Sequence, residues 1–280
     1  MTLAEALTQI KYKLNQHFNE NELRTISICL LQHFWKIQAT DLYINQQKTL
    51  DENCNNDFAH ALNLLQQHTP IQYVLGTAQF YGLNFSVDGN VLIPRPETEE
   101  LVDWLIGENP RATNIIDIGT GSGCIAVAIA KNIKNATVYA IDNSEKAIEK
   151  ATYNAKCNNV DITFFCKDIL SETCFTQIKF DCIISNPPYV RECEQQQMHE
   201  NVLRFEPHSA LFVPDNAPLK FYAAIANFAI SNLAPHGKIY LEINENLGYE
   251  TQQLFQQKGF TLSELRNDLN GKNRMLKVEK

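Results

Sequence analysis

Apolar residues in the first 70 positions recur at helical spacing. Leu3, Ala6, Leu7 and Ile10 mark one face, and the same rhythm returns over 21–37 and 57–67. Glycine is absent before Gly76 and proline before Pro70, which suits a small helical domain over 1–70. From 71 to 95 the pattern changes to aromatic and β-branched residues broken by Gly76, Gly82 and Asp88-Gly89; this predicts a β-hairpin linker. A proline followed by acids, Pro96-Glu97-Thr98-Glu99-Glu100, starts a helix and opens the third region, 96–280.

Beyond residue 113, short apolar runs alternate with amphipathic stretches. Strands are expected at Asn114–Ile118, 137–141, 162–165, Phe180–Ser185 and 238–243, with helices at 122–131 and 144–157 among those between them. That alternation predicts an α/β, Rossmann-like sheet, mostly parallel and covered on both faces. The last runs, 261–265 and 274–278, flank Asn270-Gly271. They predict a hairpin that adds an antiparallel C-terminal strand.

Composition narrows the options. The chain has 280 residues, 44% hydrophobic and 20% charged, with a net charge of -8, so it carries no overall basic character for holding a phosphate backbone. No apolar run approaches about 20 residues, and the charged, amphipathic start MTLAEALTQIKYKL is not a signal peptide. Eight cysteines, Cys29, Cys54, Cys124, Cys157, Cys166, Cys174, Cys182 and Cys193, form no C-x-x-C pair. They read as reduced thiols of a cytoplasmic protein without a metal framework. The seven histidines show no metal or triad spacing.

The chemistry begins at "IIDIGTGSGCIAVAIA". Gly119, Gly121 and Gly123 follow the first sheet strand and open a helix, where the backbone must turn sharply and approach a ligand. Asp142 closes the next strand about 20 residues further on, where an acid holds ribose hydroxyls. The loop is G-x-G-x-G, with Asp117 two residues ahead of it. A carboxylate there suits a ligand with a cationic amino-acid end better than a pyrophosphate, and S-adenosylmethionine is such a ligand. Asp168, after the third strand, is placed for the adenine amino group, with Ile169 against the ring.

The fourth strand ends in Asn186-Pro187-Pro188-Tyr189. Prolines lock φ and donate no N–H, so the segment offers carbonyl acceptors, and Asn186 adds one from its side chain. Two acceptors suit an NH₂ group, and Tyr189 offers a face for the planar group that carries it. Acceptors fixed on both hydrogens push electron density back onto nitrogen for in-line attack on a methyl group. The catalytic candidates are Asn186, Pro187 and Tyr189. The guest of this cup alone is an NH₂ on something planar, a base or an amide.

"DIGTGSG", "ID" at 141–142 and "NPPY" together resemble class I S-adenosylmethionine-dependent methyltransferases acting on NH₂ nitrogens. "PIQYVLGTAQFYGLNFSVDGNVLIPRPETEELV" (70–102) and "RFEPHSAL" (204–211) resemble the HemK/PrmC family. That family methylates the side-chain nitrogen of the glutamine in the Gly-Gly-Gln motif of class 1 peptide chain release factors. The resemblance implies a cytoplasmic enzyme with no stable nucleic-acid or membrane partner, whose N-terminal helical domain docks the protein substrate. It also implies that Gly119, Thr120, Gly121, Ser122 and Gly123 line the cofactor, Asp142 holds the ribose, and Asp168 and Ile169 flank the adenine. Asn186 would touch both cofactor and substrate, and Asn186, Pro187, Pro188 and Tyr189 would bind the glutamine amide. Arg95, Pro96 and Thr98 would wall the pocket, with Glu206 and Pro207 shaping the adjacent loop. Two departures stand out: Ile169 where some relatives carry tryptophan, and "LEINENLGYE" (241–250), which lacks a glycine and a glutamine expected after the glutamate. The competing readings are an amino-methyltransferase of a nucleic-acid base (N6-adenine type), an enzyme for another protein glutamine, and a cofactor-binding protein with a dead site. The acidic charge counts against the first, and the intact loop and Asn186 count against the last.

Overall fold

The computed structural model describes residues 1–171 and 178–280. Cys174 lies outside the described residues; Cys29, Cys54, Cys124, Cys157, Cys166, Cys182 and Cys193 are free. The chain divides into two compact units, Met1–Gly76 with Glu200–Phe205, and Thr77–His199 with Glu206–Lys280.

The first unit is helical. Its helices Leu3–Leu14 and Glu20–Trp35 each begin with a capping box, Thr2 with Glu5 and Asn19 with Glu22. Each box satisfies donors that a helix start leaves unpaired. Leu3, Ile10 and Leu14 share one core with Leu30, Leu31, Phe58 and Leu62. Ile71–Leu75, where the sequence pattern predicts hairpin, is instead a helical turn. Pro70 leads into it, and Gly76, at φ 67°, closes it in a conformation that glycine adopts without strain.

The second unit starts with a hairpin, β1 (Thr77–Phe80) against β2 (Leu83–Ser86). Its two turn residues, Tyr81 and Gly82, have φ of 50° and 72°, as a tight hairpin turn requires. The further strands are β3 (Asn114–Ile118), β4 (Thr137–Asp142), β5 (Ile162–Cys166), β6 (Phe180–Ser185), the short pair β7 (Val190–Arg191) and β8 (Phe212–Val213), β9 (Leu233–Glu242), β10 (Leu262–Asn267) and β11 (Asn273–Glu279). The large sheet has the order β10-β11-β9-β6-β3-β4-β5. β5, β4, β3, β6 and β9 run parallel, and β11 runs against both its neighbours. The expected C-terminal hairpin is therefore present and supplies the antiparallel strand.

Ile115, Ile116, Ile183 and Ile184 are fully buried, because helices cover both faces of the central strands. One face packs against helices Pro96–Glu108 and Cys124–Asn132 and the hairpin's Phe80 and Phe85. The other packs against Lys220–Asn232 and Gly248–Gln257. β9 begins at Leu233, ahead of the expected 238, and its pairing with β6 is irregular between Phe180 and Cys182. Pro235 and His236, at φ 64°, interrupt the apolar pattern there. The carboxyl ends of β3, β4, β5 and β6 form one rim, the place where sheets of this kind bind ligands.

Candidate active site

The rim is built first from backbone. Gly119 and Thr120 both donate to the Ile141 carbonyl at 2.9 Å, so the loop folds over the end of β4. Gly119 and Gly121 have φ of 76° and 54°, and a Cβ on either would project into open space. Gly123, at φ 81°, differs: its Cβ would lie 3.0 Å from Ala151 Cβ. It lets helix Cys124–Asn132 approach helix Glu145–Cys157, and it is not part of the cavity wall, whereas Gly119, Thr120, Gly121 and Ser122 are.

Two acids brace the loop. Asp142 accepts from Gly121 N at 2.9 Å and Ser144 N at 3.0 Å, one bond to each oxygen. It faces the cavity, and burial raises its pKa despite those bonds. Asp117 is fully buried beneath the loop. Thr120 Oγ1 donates to its Oδ2 at 2.6 Å, while its Oδ1 and the Ser122 hydroxyl have no partner among the described residues. Burial is the main reason its pKa rises to about 7; the neighbouring Asp142 adds to the effect, and the Thr120 bond opposes it. A buried acceptor without a donor costs about 1–3 kcal/mol. Asp117 is not on the cavity wall and holds the loop from below through Thr120; the acid that faces the cavity is Asp142, and a Cβ-free loop at Gly119 and Gly121 leaves open space for a ligand beside it. The residues present fit S-adenosylmethionine.

The same cavity is lined by Asp168 and Ile169 beyond β5, and by Asn186, Pro187 and Pro188 beyond β6. Asp168 Oδ1 accepts from Leu170 N at 2.9 Å. Ser185 Oγ donates to the Ile118 carbonyl at 2.6 Å, tying the end of β6 to β3 and setting Asn186 beside the loop. Asn186 Nδ2 donates to Thr98 Oγ1 at 3.1 Å.

Tyr189, like Asp117 and Gly123, is a sequence-predicted site residue that does not line the cavity. Its hydroxyl donates to Glu242 Oε1 at 2.8 Å, and its carbonyl accepts from Asn244 Nδ2 at 3.1 Å. Burial first, and then the Glu242 charge, raise its pKa well above the usual value. The Glu242 carboxyl also has a raised pKa, because it is buried at the end of β9. Arg95 and Thr98 line the cavity and Pro96 does not. Arg95 pairs with the buried Glu206 at 2.6 Å, which also accepts from Ile93 N at 3.2 Å; Pro207 follows on the wall.

Sequence reasoning missed Phe221 and Ile225, which close the apolar side of the cavity next to Ile169. On an apolar helix they look like core, and nothing in the pattern sets them apart. It also left Glu242 without a role, since Thr98, Tyr189 and Glu242 meet only in the folded chain.

A sheet of this order, a glycine loop after its first parallel strand and an acid at the end of the next define a class I S-adenosylmethionine-dependent methyltransferase. Residues 98–208 match the methyltransferase small domain family, and residues 5–76 match the PrmC N-terminal domain. The chain is 45% identical to the release factor glutamine methyltransferase of Flavobacterium psychrophilum, over 99% of both chains, and it belongs to the release factor glutamine methyltransferase family. The Bacteroides thetaiotaomicron relative of the same name is 39% identical over 95% of this chain and 96% of its own. Among solved structures, a methyltransferase from Pyrococcus furiosus has a TM-score of 0.52 at 17% identity, covering 82% of this chain and 99% of its own. A 16S rRNA N2 G1207 methyltransferase from T. thermophilus also scores 0.52 at 20% identity, covering 73% and 49%. These two likenesses are likenesses of fold. Among the described residues, no helix is long and apolar enough to cross a membrane.

Proposed function

We propose that this protein methylates the side-chain amide nitrogen of the glutamine in the Gly-Gly-Gln motif of class 1 peptide chain release factors, in the cytoplasm. Bound S-adenosylmethionine supplies a methyl group activated by its sulfonium charge. Asp142 holds the ribose, Asp168 and Ile169 flank the adenine, and Asp117 lies below the amino-acid end. The observation that carries the reading is the Asn186 side chain. Its Nδ2 is already committed to Thr98 Oγ1 at 3.1 Å, which leaves Oδ1 as the end that serves a guest.

Oδ1 and the carbonyls of the proline segment accept the two hydrogens of the glutamine amide. That holds its nitrogen in line with the methyl group and draws lone-pair density back onto it. The proline segment has no N–H at Pro187 or Pro188 to compete for the amide oxygen side. The extra proton leaves after the methyl group arrives, so no strong base is required. The N-terminal unit matches the PrmC N-terminal domain over residues 5–76, and it supplies further surface for the protein substrate.

The test is methyl transfer from labelled S-adenosylmethionine to a release factor, to the same factor with its Gly-Gly-Gln glutamine changed to alanine, and to DNA. Label is expected on the first alone. Label on the alanine variant, or on DNA, would sink the proposal.

A further inference from the structure

The two ends of an asparagine amide are close to the same size, but one only accepts hydrogen bonds and the other only donates them. At Asn186 a chain of bonds running away from the cavity tells them apart. Nδ2 donates to Thr98 Oγ1 at 3.1 Å. Thr98 Oγ1 donates to Glu242 Oε2 at 2.6 Å. Glu242 Oε1 accepts from the Tyr189 hydroxyl at 2.8 Å, and Arg274 Nη1 lies 3.5 Å from that hydroxyl. Arg274 is held in turn by Glu245 and Asp268, both at 3.3 Å. Thr98 and Glu242 are 2% and 1% exposed, so water does not complete their bonding.

Burial works against a charge on Glu242, but the Thr98 and Tyr189 hydroxyls that donate to it and the nearby Arg274 favour the ionised form, and that charge sets the direction of the bonds leading to Asn186. A carboxylate accepts only. The Thr98 hydroxyl has a single hydrogen, and that hydrogen is committed to Glu242. Thr98 therefore turns lone pairs toward Asn186, and only the NH₂ end of Asn186 can meet them. Were the Thr98 hydrogen free to point at Asn186, the amide would turn over. Two N–H donors would then face the two N–H donors of an incoming amide.

We propose that Thr98 and Glu242 are positioning residues for methyl transfer: the Glu242 carboxylate, acting through Thr98, orients the Asn186 amide so that Oδ1 faces the substrate nitrogen. Tyr189 belongs to the same relay, filling the second oxygen of Glu242. This deepens the proposed function and rests on its reading of the substrate as an amide NH₂. It also gives a role to Glu242 and Thr98 that no contact with substrate requires. A buried network kept only for stability would be insensitive to which way its hydrogens point, provided each is paired.

The test compares wild type, Thr98→Val, Thr98→Ser and Glu242→Gln in the full chain, measuring kcat and KM for the release factor and Kd for S-adenosylmethionine. Wild-type transfer to the Gly-Gly-Gln glutamine establishes the underlying reading, and its absence overturns that reading before any variant is compared. Thr98→Val keeps the shape but offers Nδ2 no acceptor. It is expected to lower kcat by about 10- to 100-fold, the scale of a misplaced reacting group. KM and Kd should move by less than about threefold. Thr98→Ser restores the hydroxyl and should return kcat to within about threefold of wild type. Glu242→Gln supplies one acceptor for two hydroxyl donors and should slow turnover as Thr98→Val does. A Thr98→Val enzyme with wild-type kcat overturns the relay, and so does a Thr98→Ser enzyme as slow as Thr98→Val. Should Thr98→Val fail to fold, Glu242→Gln decides: unchanged kcat overturns the proposal, and slowed turnover at unchanged Kd supports it.

Discussion

Replacing Asp117 with asparagine isolates the energetic cost of the buried acid under the glycine loop. Its pKa rises from an ordinary 3.8 to about 7, chiefly because it is buried. At about 1.4 kcal/mol per pH unit, the folded state is handicapped by roughly 4 kcal/mol once the acid is ionised in both states. The handicap has a definite pH window. Below pH 3.8 the folded and unfolded chains both hold the proton, and Asp117 contributes nothing. Between there and about 7 the folded chain keeps a proton that the unfolded chain has lost, so stability falls as pH rises. Above that the full cost is present. The Asp117→Asn side chain cannot ionise and removes this dependence, while Thr120 Oγ1 can still donate to its oxygen. The amide nitrogen adds a fixed penalty that does not change with pH. Urea unfolding of both proteins at about pH 5.5 and about pH 8 should therefore show the difference, variant minus wild type, moving in the variant's favour by about 2 kcal/mol. Parallel behaviour across that range would refute the assignment.

Other outcomes follow from the same geometry. Asn186→Ala should abolish detectable transfer in the labelled-cofactor assay and leave cofactor affinity within a few-fold, since the cavity is otherwise intact. Gly123→Ala places a Cβ 3.0 Å from Ala151 Cβ at a φ of 81°, and should destabilise the fold by about 1–3 kcal/mol, read as a lower Tm. Glu108 is the opposite case to Asp117. Burial alone would raise its pKa, but bonds from Trp104, Lys277, Lys238 and Tyr240 outweigh this and bring it down to about 2. Glu108→Gln should therefore be less stable than wild type at neutral pH, with the gap closing as pH falls from 4.5 toward 2 in denaturant titrations.

Legibility in the sequence follows what each residue's neighbours are. β3 and β6 are legible to the residue because apolar residues dominate strands buried on both faces, even with Asp117 in the first and Asp181 in the second, and the glycine loop is legible because φ above zero favours glycine there. Ile71–Leu75 reads as strand from its β-branched and aromatic residues, yet Pro70 and Gly76 enclose a helical turn; the local caps override weak propensity. Tyr189 in "NPPY" looks like a platform facing the guest. Its hydroxyl goes instead to Glu242, a partner 53 residues away, and no spacing rule reaches that far. Thr98 and Glu242 are farther apart still, at 144 residues. Such pairs exist only once the sheet has brought the end of β9 beside the start of helix Pro96–Glu108.

The short helix Glu200–Phe205 groups with Met1–Gly76 and not with the segments on either side of it. The chain thus crosses between its two units three times, after Gly76, before Glu200 and after Phe205. The units are interlaced in sequence, not strung in series. Cleavage at Gly76 alone would leave the first unit assembled from two fragments, joined by Arg204 Nη1 on the Gln67 carbonyl at 3.4 Å among other contacts. Deleting residues 1–76 would strip Glu200–Phe205 of the unit it belongs to. A swap of the N-terminal helices between relatives therefore leaves Glu200–Phe205 against helices it did not come with unless that segment is exchanged along with them.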